Sequence, residues 1–134
     1  MGSIIPVTAA VIRQNGQILI AQRKADAHQG QLWEFPGGKV QFGERPEEGL
    51  RREILEELGM AIWVDELFAV ESHVYGDRHI LLLVYLCTPE PGQQPKVIDV
   101  GDFAWVTPAE MNGYQFAPAD VPIVAKLQGF VPAV

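Results

Sequence analysis

Three glutamates, Glu53, Glu56 and Glu57, stand three and four residues apart in a segment that reads as a helix from Pro46 to Leu58. At 3.6 residues per turn this spacing puts the three carboxylates on one face. Leu50, Ile54, Leu55 and Leu58 fall largely on the other side. Crowded carboxylates repel: two unit charges about 4 Å apart cost roughly 4 kcal/mol at an effective dielectric near 20. A divalent cation turns that repulsion into ligation, and hard oxygen donors favour Mg²⁺, with Mn²⁺ as a substitute. The plain alternative is a solvated acidic face whose charges pair with Arg51 and Arg52.

The surrounding residues weigh against the plain alternative. From Gly38 to Met60 the chain reads GKVQFGERPEEGLRREILEELGM. This stretch resembles the signature of the Nudix family: a glycine, five residues, a glutamate, seven residues, then Arg-Glu-apolar-x-Glu-Glu-x-Gly-apolar. Here the fixed positions are Gly38, Glu44, Arg52, Glu53, Ile54, Glu56, Glu57, Gly59 and Met60. The resemblance implies a loop–helix–loop that binds a divalent metal, and an α+β Nudix fold with a mixed β-sheet sandwiched between helices. It implies hydrolysis of a nucleoside diphosphate linked to another group. It also implies Gly38, Glu53, Glu56 and Glu57 as metal ligands, and a charge-assisted bond from Arg52 to Glu44 that ties loop to helix. Two positions depart from the pattern. Arg45 stands where Ser or Thr usually caps the helix, a loss of about 1 kcal/mol. Gly49 replaces the usual Ala, another loss of about 1 kcal/mol if the position is exposed.

Outside that stretch the chain is similar to the MutT-like branch of the family, the 8-oxo-dGTP diphosphatases, and to the sister CTP pyrophosphohydrolases. The similar segments are Ala21-Gln22-Arg23-Lys24-Ala25-Asp26-Ala27-His28, Trp33-Glu34-Phe35-Pro36-Gly37-Gly38, Asp77-Arg78-His79 and the run from Pro118 to Leu127. The resemblance implies substrate contacts from Arg23, Phe35, Gly37, Gly38, Arg78 and Asp120. Read as residues alone, Arg23 and Arg78 fit equally as surface ion-pair partners, and Phe35 and Trp33 as packing. His28 reads as a solvated loop residue, and His73 and His79 as structural. A further acid is expected near the metal: Asp99, six residues before Trp105, with Asp102 as its competitor. The implied reaction is attack of water on the β-phosphorus of a nucleoside triphosphate, releasing a monophosphate and pyrophosphate. Glu53 is the first choice of general base and Asp99 the second. A non-catalytic nucleotide-binding module of the same fold is the rival of a different class, and the complete set of acids argues against it.

The base to be read turns on Asp120. An ionised carboxylate only accepts hydrogen bonds. Guanine presents two adjacent donors, N1–H and the exocyclic amine, so the expected substrate is an oxidised guanine nucleotide such as 8-oxo-dGTP. Cytosine presents one donor beside an acceptor, which makes CTP or a modified dCTP the alternative. MutT itself has Asn at the matching position. Asp120 also stands where a helix N-cap is expected.

These residues need a scaffold. Val7 to Ile12 and Gln17 to Gln22 read as strands joined by the hairpin signal Asn15-Gly16. Leu32 to Phe35 reads as a short strand stopped by Pro36-Gly37-Gly38. The helix from Pro46 closes at Gly59. Ile62 to Tyr75 reads as one bent strand or two, His79 to Cys87 as an apolar strand and Phe103 to Val106 as a short one. Thr107-Pro108-Ala109-Glu110 has capping-box spacing, and Asp120 to Gln128 reads as a last helix ended by Gly129.

The 134 residues suit a single domain, residues 1–134, and 48% of them are hydrophobic, enough for a core. A formal net charge of −7 gives no footprint for duplex nucleic acid or an anionic membrane. A bound cation would reconcile that acidity with a small polyphosphate substrate. Cys87 is the only cysteine, so the expectation is a buried thiol and no internal disulfide. No signal peptide or membrane span is read, and the expectation is a cytoplasmic enzyme, monomer or homodimer.

Overall fold

Asn15 and Gly16 both adopt left-handed backbone angles, the turn that matches the twist of paired strands. They fold β1 (Ser3–Gln14) back onto β2 (Gln17–Gln22). The computed structural model describes residues 2–129. After the hairpin come β3 (Trp33–Glu34), β4 (Gly37–Lys39), α1 (Pro46–Leu58), β5 (Ile62–Tyr75), β6 (Arg78–Pro89) and β7 (Asp102–Val106). Two 3₁₀ turns, Ala109–Gly113 and Pro118–Asp120, precede α2 (Val121–Gly129).

The sheet runs β3-β2-β1-β6-β5, with β4 added to β1 and β7 to β2. β1 is its centre: it lies parallel to β6 and antiparallel to β2 and β4, which makes the sheet mixed. Period-two alternation then divides the core. Ala9 and Val11 pack with Ile20, Leu82, Val84, Met111, Ile123 and Leu127 under α2. Ala10 and Ile12 pack with Leu19, Leu50, Ile54, Leu58 and Met60 under α1. The sheet is thus covered by a helix on each face, as expected. Cys87 is buried beneath α1, and burial pushes its thiol up to about 12, which leaves it inert.

The structure adds detail to the sequence reading. β3 does end ahead of Pro36, and Gly37–Lys39 then forms β4, pairing with Val7–Ala9. Glycines carry no apolar period, so backbone pairing of this kind leaves no pattern to read. Ile62–Tyr75 is one strand, the first of the two readings, with irregular register between Val64 and Glu66 and between Leu67 and Ala69. Thr107 and Glu110 do form reciprocal capping bonds, at 2.8 and 3.3 Å, but they open a 3₁₀ turn. The last helix starts at Val121, after the 3₁₀ turn that holds Asp120.

α1 begins at Arg45 with no side-chain cap, and Pro46, Glu47 and Glu48 in its first turn support it instead. Leu55 is 56% exposed, so it does not belong to the apolar face formed by Leu50, Ile54 and Leu58. Gly49 is buried, and a Cβ there would lie 2.6 Å from Glu44 Oε1. In this chain the Glu44 carboxylate occupies the space that a Cβ at Gly49 would take. Gly59 ends α1 in the left-handed conformation. The last carbonyls of α1 are then satisfied from elsewhere: Lys96 N–H donates to Leu58 O at 2.7 Å, and Asp99 N–H to Glu57 O at 3.0 Å.

Helix propensity alone says Gly49→Ala should gain up to about 1 kcal/mol. The contact with Glu44 predicts the opposite sign, a lower melting temperature in thermal denaturation. A rise would mean that the Glu44 carboxylate is free to move aside.

Candidate active site

A cleft of about 490 Å³ opens where β4, the start of β6 and the end of α1 meet. Its floor is Val7, Thr8 and Ala9 of β1 with Ile80 and Leu82 of β6. Arg23, Lys24, Ala27 and His28 line one side, and Gly37, Gly38 and Lys39 another. Glu57 and Asp99 line it too, as do Phe35, Ala119 and Asp120, and Glu34 acts electrostatically on both Glu57 and Asp120. Arg78 lines it as well and is exposed.

The acidic helix face is brought against β4. A Cβ on Gly38 would lie 2.5 Å from the carboxyl carbon of Glu53, so only glycine admits that carboxylate. Burial, then the neighbouring Glu53 carboxyl, then the charges of Glu34 and Asp99 raise the Glu57 pKa well above the carboxylate range. Arg52 takes up the neighbouring negative charge. Its Nε donates to Glu44 Oε2 at 2.8 Å and its Nη2 to Glu44 Oε1 at 3.1 Å. Its Nη1 donates to Glu53 Oε1 at 3.1 Å and to Glu56 Oε2 at 3.3 Å. The Arg52 hydrogen bonds, followed by the Gln41 N–H, lower Glu44 to about 2. The expected tie between loop and helix is therefore present. Glu56 is the outermost of the three acids, with its side chain 57% exposed. Among the described residues no three acidic, histidine or cysteine side chains already converge as a metal cage.

Of the two candidates for a further acid, Asp99 lines the cleft and Asp102 does not. Asp102 instead accepts a bond from Phe103 N–H at 2.8 Å at the start of β7. Asp99 is paired with Lys24, whose Nζ lies 2.5 Å from Oδ1.

Asp120 is 6% exposed, and its Oδ1 accepts a bond from Phe35 N–H at 3.3 Å. Asp120 lies in the 3₁₀ turn just before α2, and the bond its carboxylate accepts comes from Phe35 rather than from α2. The segment that carries Asp120 is held by β3: Trp33 N–H donates to Gln115 O at 2.8 Å, and Ala117 N–H to Trp33 O at 2.9 Å. The Phe35 ring is 3% exposed and stacks on Phe116, so most of it belongs to the core. Trp33 packs edge-on against Tyr114. Arg23 pairs with Glu34 at 2.8 Å and also donates to His28 O at 3.0 Å. His73 packs against Tyr75, and His79 buries Nε2 without a hydrogen-bond partner.

Two lining residues escaped the sequence reading, Glu34 and Lys24. Glu34 is a largely buried acid, and burial raises its pKa against the opposing pull of Arg23. A charged residue within the aromatic run Trp33-Glu34-Phe35 was its only signal. Lys24 gave none, because its partner arrives from a distant loop.

A cleft in a mixed sheet lined by an acidic loop–helix–loop and by a buried acid is the plan of a nucleotide-hydrolysing domain. The model of the NUDIX domain matches residues 7–126. The 8-oxo-dGTP diphosphatase of Escherichia coli K12 is 35% identical over 125 residues, which cover 92% of this chain and 96% of that protein. The CTP pyrophosphohydrolase of the same strain is 37% identical over 121 residues, covering 90% and 89%. The solution structure of the E. coli ORF135 protein superposes with a TM-score of 0.82 at 35% identity, over 96% of this chain and 91% of that one. The chain belongs to the Nudix family, and it is a Nudix hydrolase, a nucleotide pyrophosphohydrolase that needs a divalent metal. Among the described residues no helix is long and apolar enough to cross a membrane.

Burial first, then the charge of Glu34, raises Asp120 from 3.8 to about 8, outweighing the Phe35 N–H and Arg23. The folded protein thus holds this proton more tightly than the unfolded chain. The stabilisation is complete below 3.8 and is lost as pH rises through about 8. Asp120→Asn, which mimics the neutral acid, should gain melting temperature over the parent as pH rises through that window. A difference that stays constant with pH would show that the acid is not held neutral.

Proposed function

We propose that the chain hydrolyses a nucleoside triphosphate to a monophosphate and pyrophosphate, with Mg²⁺ or substituting Mn²⁺, and that an oxidised guanine nucleotide such as 8-oxo-dGTP is preferred. The observation that carries this reading is that one cleft is lined by both Glu57 and the buried Asp120. The first suits a metal-bound polyphosphate and the second a base.

The donors fit a hard cation. Glu57 keeps its proton where a cation would serve both it and Glu53, and Gly38 leaves room beside them. Glu53, Glu56 and Glu57 would hold the ion, with the Gly38 carbonyl and Asp99. When bound, it offsets charge on the phosphate oxygens and makes water more acidic. Glu53 takes the proton of the attacking water. The water oxygen bonds to the β-phosphorus, and the bond to the oxygen shared with the α-phosphate breaks. That oxygen leaves with the monophosphate. Asp99 is the second choice as base because Lys24 occupies it. Arg23, Arg78 and the Gly37-Gly38 backbone orient the nucleotide, and Phe35 supports the base through its contact with Asp120. In this reading one domain acts on free nucleotides in the cytoplasm, as a monomer or homodimer.

The state of Asp120 favours a second reading. The two-donor edge of guanine calls for an ionised carboxylate, whereas burial holds this one neutral to about 8. A neutral carboxyl offers one donor and one acceptor, as an amide does. That pair fits the edge of cytosine and also O6 with N1–H of guanine. CTP or a modified dCTP is therefore the competing substrate.

Pyrophosphate release across a panel of nucleotides decides between them. The highest kcat/KM should fall on 8-oxo-dGTP, chelator should abolish turnover, and Glu57→Gln should lower kcat by about 10²-fold or more. A maximum on CTP establishes the second reading. Silence across the panel with Mg²⁺ bound makes the protein a binding module.

A further inference from the structure

Asp99 already has a cation, the Lys24 ammonium. Lys24 Nζ meets Asp99 Oδ1 at 2.5 Å, and both residues line the cleft beside Glu57. The backbones on either side of this pair are fastened. Gly101 N–H donates to Gln22 O at 2.8 Å, and Asp99 N–H donates to Glu57 O at 3.0 Å. Ala27 N–H holds Lys24 O at 3.0 Å. Both main chains are tied by these bonds, which leaves the Lys24 side chain as the part of the pair able to swing without breaking them. That side chain is half-exposed, on a flexible four-carbon stem that ends in three donors.

An ammonium and a divalent ion cannot share one carboxylate oxygen without strong like-charge repulsion. Whatever cation Glu57 and Asp99 receive must first displace Lys24. The substrate brings the compensating anion into the same cleft. Arg23, Lys24, Lys39 and Arg78 all line it, and of these only Lys24 is paired with Asp99, so it is the cation set free as the polyphosphate arrives.

We propose that Lys24 is an exchangeable counter-ion: it neutralises Asp99 in the ligand-free protein and transfers to the polyphosphate when the divalent ion takes Asp99. Lys24 then sets the order of loading, since metal with nucleotide displaces it more easily than metal alone. This inference rests on Asp99 being a metal ligand, as proposed above.

The test uses Lys24→Met, with Arg13→Met as a matched loss of charge at the far end of β1, and two ligands. Mn²⁺ alone is titrated by calorimetry, and an α,β-methylene nucleoside triphosphate is titrated in saturating Mn²⁺. Lys24→Met should bind Mn²⁺ alone about fivefold to tenfold more tightly and the analogue about tenfold more weakly. Arg13→Met should change neither, and Lys24→Arg should retain parental behaviour. Unchanged or weaker Mn²⁺ binding in Lys24→Met overturns the inference, as does tighter Mn²⁺ binding with unchanged affinity for the analogue. If the parent protein binds no Mn²⁺, the metal reading itself fails, which is a separate result.

Discussion

The bond between Arg52 and Glu44 is the constraint on which the site depends. Two parallel N–H donors at 2.8 and 3.1 Å clamp the loop after β4 to α1. The same guanidinium reaches Lys39 O at 3.4 Å, and Glu53 and Glu56 at 3.1 and 3.3 Å. A planar fork serves these partners at once, which the single ammonium of lysine could not do. Gly49 makes room for Glu44, and Gly38 for Glu53, so two missing side chains allow three charged ones to interlock. This clamp holds β4 and α1 in the register that puts the acidic face at the cleft.

The far end of α1 is set by a different force. Its last carbonyls must find donors, and they find them in the backbone of residues 96–99. That requirement delivers Asp99 to the side of Glu57. Asp120 arrives by backbone pairing of residues 115–117 with Trp33. Three acids from separate stretches thus share a cleft with Glu34, and all but Asp99 are largely buried. Buried carboxyls are costly unless they are neutralised. Glu57 and Asp120 meet the cost by holding protons, Glu34 by pairing with Arg23, and Asp99 by pairing with Lys24.

What the sequence revealed follows from the range of the interactions. The face shared by Glu53, Glu56 and Glu57 is a property of helical period, and the Asn15-Gly16 turn and the Gly59 stop are properties of single residues. All three were legible. So was the partnership of Arg52 with Glu44, through a spaced motif. β4 was not, because glycines pair through backbone alone. Leu55 was assigned to the apolar face because the arc was drawn too wide: only Leu50, Ile54 and Leu58 meet the sheet. The burial of Gly49 and Asp120 is tertiary, and so the local rules for propensity and capping do not reach it. The Lys24–Asp99 pair joins two distant loops and could not be read from either.

The central claim is that the acids of α1 form a cation site whose metal-free form is held in place by Arg52. Its most direct test is Mn²⁺ titration followed by electron paramagnetic resonance, in the parent protein and in Glu57→Gln, with thermal melts of both. The account predicts at least one bound Mn²⁺ per parent chain, and affinity weakened by more than about tenfold in Glu57→Gln with the fold retained. Equal affinity in a folded Glu57→Gln protein would contradict it.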